Sequence, residues 1–342
     1  MPKWTVELGY IGNHGLFLAA TQLTNNALLV NANNPGPFGL TTNDASNRDA
    51  RAPIPAFGAD GIFEITDSGK SFYDALLLTV SHQFGHGLFF KAAYTWSKNL
   101  DNYPASTGFD INGNAAGNQF IEDLNKGPAA QDIPQRLVIT YVYDLPSPKE
   151  GRILKAALGG WTFSGIATLQ SGFPGTIFQN TDGNTLSGND GYGVLIPGCQ
   201  LVNSGSVTSK LNDYLNPACV TSTPLLSGGT KFGPLSKYEG PGNQFYTITP
   251  GGVGQLQGTS TRGAFFAPFQ KRWDVGLSKR FFVSALGEGG NIEFKAQAFK
   301  ITNTPIFNGP TDTTVGDAAF GRITSTIDNS GRQLQFAIKL NF

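Results

Sequence analysis

The residues able to do chemistry in this 342-residue chain are few: three histidines, two cysteines, and scattered serines and carboxylates. His82 and His86 stand four apart, but they flank the GHG turn instead of sharing a helix face, and neither has a cysteine or carboxylate close by. They read as solvated turn histidines, and His14, in GNHG, as a loop residue without a partner. The run Asp182 to Tyr192 has the oxygen-rich composition of a calcium loop, yet it lacks the spaced acidic ligands and closing glutamate of an EF-hand. Turn formation by Asn, Asp and Gly accounts for it. The serines of GNTLSGNDG and QSGFPG sit among glycines without forming a G-x-S-x-G elbow. No catalytic set, metal site or cofactor site is therefore expected.

Cys199 and Cys219 are the two cysteines, and both fall in the longest connection of the chain. In an oxidising compartment such a pair forms one disulfide, stabilising the loop by about 3 kcal/mol through constraint of the unfolded state. In a cytosolic protein the same residues would be free thiols. The compartment decides, and the elements bear on the compartment.

The elements are strands. The chain ends QLQFAIKLNF, in which Leu334, Phe336, Ile338, Leu340 and Phe342 alternate with Gln333, Gln335, Ala337, Lys339 and Asn341. That is an amphipathic strand of about the ten residues that cross a bilayer at a tilt. The same alternation marks Trp4 to Tyr10, Tyr73 to Phe84, Leu88 to Ser97, Arg136 to Leu145, Trp161 to about Gly172, Arg272 to Phe282 and Asn291 to Thr302. The segment RILKAAL is the one place where a helical turn or two is expected.

Composition agrees with a membrane β protein. Charged residues make up 14%, against about 25% in ordinary soluble domains, while 44 glycines and 26 phenylalanines indicate many turns and aromatic-bearing strands. Formal net charge is zero, which gives no reason to expect nucleic acid as a partner. No apolar run reaches 18 residues, so a membrane helix is excluded, whereas a barrel needs no such run. The start, MPKWTVELGY, has neither the basic nor the long apolar region of a secretory signal, so an exported chain is expected to be a mature or truncated piece.

Longer and shorter connections alternate throughout, from Ile11–Phe72 (long) and Gly85–Gly87 (short) to the very long Phe173–Lys271 and the short Val283–Gly290. Short periplasmic turns and long outer loops make this pattern in an up-and-down barrel. Aromatics mark the strand ends: Trp4 and Trp161 at the short-turn end, Trp96 and Trp273 at the long-loop end, with Tyr10, Tyr94, Tyr141, Tyr143, Phe281 and Phe342 near other termini. Indole and phenol rings favour the membrane interface, so two girdles are expected, although aromatics also favour strands in general. The fold class is all-β, an antiparallel up-and-down transmembrane β-barrel segment of about eight strands, with its opposite face a wetted lumen wall.

Here a family resemblance enters. The succession GYIGNHG, SFYDALLLTVSHQFGHGLFFKAAYTWSKNLD, PQRLVITYVYDLP, GGWTFSGIATLQSGFP, KRWDVGLSKRF, FKAQAFKITNTPIF, FGRIT and GRQLQFAIKLNF resembles the C-terminal part of the barrel of Oar-like TonB-dependent outer-membrane receptors. It covers nearly all the strands and leaves mainly the large loops unmatched. The resemblance implies that residues 1–342 form one C-terminal barrel part, with Phe342 as the terminal aromatic read by the barrel-assembly machinery. Complete relatives carry a signal peptide, an N-terminal β-domain, a plug and a barrel of about 22 strands. Signal, plug and most of those strands are missing from this sequence, so coupling to the TonB complex would run through a plug located elsewhere.

Three functions are compatible with these residues. One is the barrel segment of a receptor that takes up a bulky, unidentified ligand. Another is a small structural or surface-display barrel without transport, which would require the first and last strands to pair. The last is a secreted glycan-binding sandwich, which would require the apolar faces to cover one another.

Overall fold

The computed structural model describes residues 3–102, 126–179, 191–222, 239–240, 244–245, 262–283 and 290–342, apart from 24, 26, 29, 31–34, 43–44, 60–61, 85–86, 149 and 328–330. Eight long strands, numbered here in chain order, dominate it: β1 (Lys3–Leu23), β2 (Phe63–Gln83), β3 (Leu88–Asp101), β4 (Gln135–Asp144), β5 (Trp161–Gln170), β6 (Gln270–Phe282), β7 (Asn291–Phe299) and β8 (Gln333–Asn341). Each pairs antiparallel with the next, and the short pair Gly127–Pro128 adds to β3, making one sheet of nine strands. The meander bears out the up-and-down reading. A helix, α1 (Arg152–Leu158), lies in the turn between β4 and β5.

The register shows why alternating sequences make this sheet. Leu8 pairs with Leu78, Leu78 with Tyr94, Tyr94 with Leu137, and Leu137 with Leu169. Further along, Phe163 pairs with Leu277, Leu277 with Ala296, and Ala296 with Phe336. Because side chains alternate with period two, this register gathers the apolar sets of all eight strands onto one face. The opposite face carries polar rows such as Glu7 to Thr79 and Lys91 to Thr140.

Among the described residues, much of that apolar face is exposed. Leu8 is 70% exposed and Ile338 72%. The main buried apolar cluster, which includes Ile177, Tyr214, Leu215, Val220, Phe265, Phe320 and Ile323, lies entirely in the connections. A sandwich would need its core between two sheets, so the secreted-sandwich alternative does not fit this packing.

β1 and β2 are longer than the alternation indicates. Each has 21 residues, where the sequence predicts a loop over Ile11–Phe72. At about 3.3 Å per residue such a hairpin runs roughly 70 Å, more than twice the thickness of a bilayer core. Outside lipid a strand pair needs only its backbone ladder, so its apolar alternation lapses. The arm is irregular, with register shifts between Gly15 and Leu18 and between Leu18 and Ala20. At Gly69 a Cβ would lie 2.7 Å from the Leu18 carbonyl oxygen, so only glycine fits that approach.

β1 and β8 are the two edges. Among the described residues neither has a second pairing partner in the sheet.

Candidate functional site

The long connections, β1–β2, β3–β4, β5–β6 and β7–β8, share one end of the sheet, and two of them build a packed assembly there. Within β5–β6, Phe178–Gln179 pairs antiparallel with Gly191–Tyr192. The same residues pair in parallel with Thr314–Val315 of β7–β8. Backbone bonds from Leu215 N to Gly321 O (3.3 Å) and from Ile323 N to Leu211 O (2.7 Å) join the two connections again. Aliphatic and aromatic residues spaced along both loops meet as the buried cluster, whose removal from water stabilises the assembly. Cys199 and Cys219 are disulfide-bonded at its margin, with Cα atoms 5.4 Å apart.

A buried arginine ties the assembly to the sheet, and further polar contacts brace the connections around it. The buried Arg262 guanidinium pairs with the Asp101 carboxylate at the end of β3 and donates to the Pro128 carbonyl at 3.1 Å. One side chain thereby ties three segments together. Tyr214 donates its hydroxyl to the Phe266 carbonyl at 2.8 Å, and burial pushes its phenol up to about 12. Asp132 accepts the Asn99 backbone N–H at 2.8 Å; burial raises its carboxyl, against the lowering effects of that bond and of Lys98.

The β1–β2 connection has its own polar centre. Arg51 is fully buried and donates to the Asn47 side chain and the Leu28 carbonyl, both at 2.7 Å. Asn25 bridges Ile54 and Gly58. The Ala59 backbone N–H holds the Asp49 carboxyl below its usual range, with burial opposing it.

The apolar face carries the aromatics singled out from the sequence. Trp4, with His82 and Phe84, stands at the short-turn end. Tyr10 pairs with Leu76, which pairs with Trp96, and Tyr94 follows one pair below. Tyr10 donates its hydroxyl to Asp74 at 2.5 Å. Tyr143 pairs with Phe163, and Trp161 with Lys279, near the short turns. Phe342 lies just past β8, 98% exposed.

Tyr141 and Trp273 make a contact that strand alternation does not reveal. The Trp273 indole N–H donates to the Tyr141 hydroxyl at 2.9 Å, although β5 runs between their strands. Gly165 of β5 is the reason: a Cβ there would lie 2.3 Å from the Tyr141 oxygen. The missing side chain opens a notch across which the phenol reaches. A lone glycine pairing with both Tyr141 and Val275 is the signal available in the sequence, and it becomes readable only with the register known.

Lys279 is the second feature missed. It stands on the apolar face but is 3% exposed, with its ammonium 5.0 Å from the Trp161 ring centroid and 4.9 Å from that of Phe281. It donates to the Ala157 carbonyl of α1 at 2.5 Å, and the Trp161 indole donates to the same oxygen at 3.0 Å. Two rings and a helix carbonyl end satisfy this charge.

A family model described as an outer membrane beta barrel domain matches residues 1–335. The chain belongs to this family. The barrel domain therefore resides in the outer membrane, and its apolar face is the lipid-facing wall. Among solved structures, the outer membrane transporter YddB from Escherichia coli is similar, with 9% identity and a TM-score of 0.42 over 99% of this chain. The chain spans 30% of the length of that transporter chain. No curated protein matches the sequence.

The polar face of the barrel domain is laced by short contacts. Glu293 accepts from Lys295 at 3.2 Å and Arg280 at 3.4 Å, and Gln170 meets Gln270 at 2.9 Å across β5 and β6. The histidines differ from the sequence expectation. His82 is buried on the apolar face against Trp4 and Phe84, with ring centroids 4.2 and 3.8 Å away, because period two turns it toward the same side as Val80. His14 lies against Phe72, with ring centroids 4.1 Å apart and the planes tilted by 32°. His86 and the run 182–190 lie outside the described residues. Among the described residues no group of three His, Cys, Asp or Glu could hold a metal ion.

Proposed function

We propose that this barrel domain is the C-terminal wall segment of a TonB-dependent outer-membrane receptor, in which the long-loop assembly faces outward and captures a bulky ligand. The observation that carries the reading is the combination of two open edges with one continuous apolar face. Among the described residues β1 and β8 each have one pairing partner, which would leave backbone groups bare in lipid, so in this reading further strands of the same barrel pair with both. A larger barrel encloses a lumen that a plug can fill, and the TonB complex would act on that plug. The polar face, with Glu293 and its cationic neighbours, then lines the lumen. In an outward, oxidising setting the Cys199–Cys219 bond persists and braces the capture assembly. Phe342 would present the terminal aromatic to the barrel-assembly machinery.

The test is the size of the polypeptide in outer membranes of the producing cell, detected with an antibody to the loop assembly. A receptor appears well above the 36.4 kDa of this chain and forms site-specific cross-links to TonB from its plug. A heat-modifiable species of 36.4 kDa without such cross-links would establish the small structural barrel instead.

A further inference from the structure

The turn between β4 and β5 carries an apolar surface that neither transport nor ligand capture explains. In α1, Ile153 is 84% exposed, Leu154 54% and Leu158 55%. At about 100° per residue, Ile153, Ala157, Leu154 and Leu158 fall within an arc of roughly 140°, and Lys155 lies outside it. An exposed helix with such a stripe needs a partner surface.

The ties of the helix show which surface is nearest. Lys279 and Trp161, which hold the Ala157 carbonyl, both belong to the apolar face of the sheet. Phe281, whose ring flanks Lys279, belongs to it as well. The C-terminal end of α1 is thereby fastened to the lipid-facing side of the barrel wall, not to the lumen side. Its apolar residues continue the wall's own apolar belt at the short-turn boundary, where Trp161 stands.

We infer that α1 docks on the phospholipid surface of the leaflet at the short-turn end, lying in the headgroup region with Ile153, Leu154 and Leu158 in the acyl boundary and Lys155 in the aqueous layer. This placement rests on the barrel reading of the sheet. The occupant is lipid and not a partner protein because the stripe is continuous with the lipid-facing wall and is held there by residues of that wall. The buried ammonium of Lys279 sets the helix at this depth. Its charge stays with the Ala157 carbonyl and the two rings at the rim.

The experiment places a nitroxide label at Ile153→Cys, Lys155→Cys or Val275→Cys, one at a time, in the protein carried by outer-membrane vesicles. Both native cysteines are bonded to each other, so the label goes to the new thiol. Collisions with oxygen and with a water-soluble nickel chelate are then compared. The expected result is oxygen-dominated relaxation at 153 and 275 and chelate-dominated relaxation at 155. Oxygen dominance at 275 with chelate dominance at 153 overturns the docking of α1 and leaves the barrel reading standing. A label at 153 shielded from both reagents means a protein partner and also overturns it. Chelate dominance at 275 would bring down the barrel reading and the docking together.

Discussion

Tyr141, Gly165 and Trp273 show what single residues do on a wall that faces lipid. An indole N–H on a lipid-facing wall needs an acceptor, and here the Tyr141 hydroxyl oxygen supplies it. Tyr141→Phe leaves the indole N–H unpaired and is expected to cost about 1 kcal/mol of barrel stability, read from urea unfolding in vesicles. Gly165→Val fills the notch and displaces the phenol, so a larger loss is expected, together with a shift in Trp273 fluorescence. Tyr214 gives a pH signature outside the membrane. Its phenol is raised to about 12 in the folded assembly, against 10.0 when unfolded. Its contribution is therefore complete below pH 10.0 and is lost as pH rises from there toward about 12. Proteolysis of the loop assembly should accelerate over that window, and Tyr214→Phe should flatten this dependence while losing the bond to Phe266.

At the scale of elements, strands and loops obey different constraints, and this decides what can be read from sequence. All eight strands are legible because lipid on one side and water on the other force alternation wherever the chain crosses. The outer arms of β1 and β2 are not, since residues such as Asn13, His14 and Ser71 pair through the backbone without a lipid face to fill. The loop assembly is illegible for another reason: Ile177, Leu215 and Phe320 meet across more than a hundred residues, with no period to announce it. The cysteines differ, because an isolated pair in one connection leaves only one possible pairing, while the compartment decides whether the bond forms. Reduction of Cys199–Cys219 should remove about 3 kcal/mol from that segment and raise tryptic cleavage at Lys210, between them, by about a hundredfold. Arg262→Ala should loosen the assembly from β3, because the ion pair to Asp101 and the bond to the Pro128 carbonyl are lost together, and proteolysis of the loop assembly should accelerate.

For the whole molecule, the proposal of a wall within a larger closed barrel rests on a sheet whose two edges lack a second partner among the described residues. Closure itself is tested most directly by cysteine cross-linking between the two edge strands, Leu8→Cys with Ile338→Cys, in outer-membrane vesicles, with Leu8→Cys and Leu78→Cys as the paired-strand control. If β1 and β8 each pair with further strands, the control pair cross-links under oxidation and the edge pair does not. An equally efficient bond between positions 8 and 338 would mean that these eight strands close on themselves, and the receptor-wall account would be wrong.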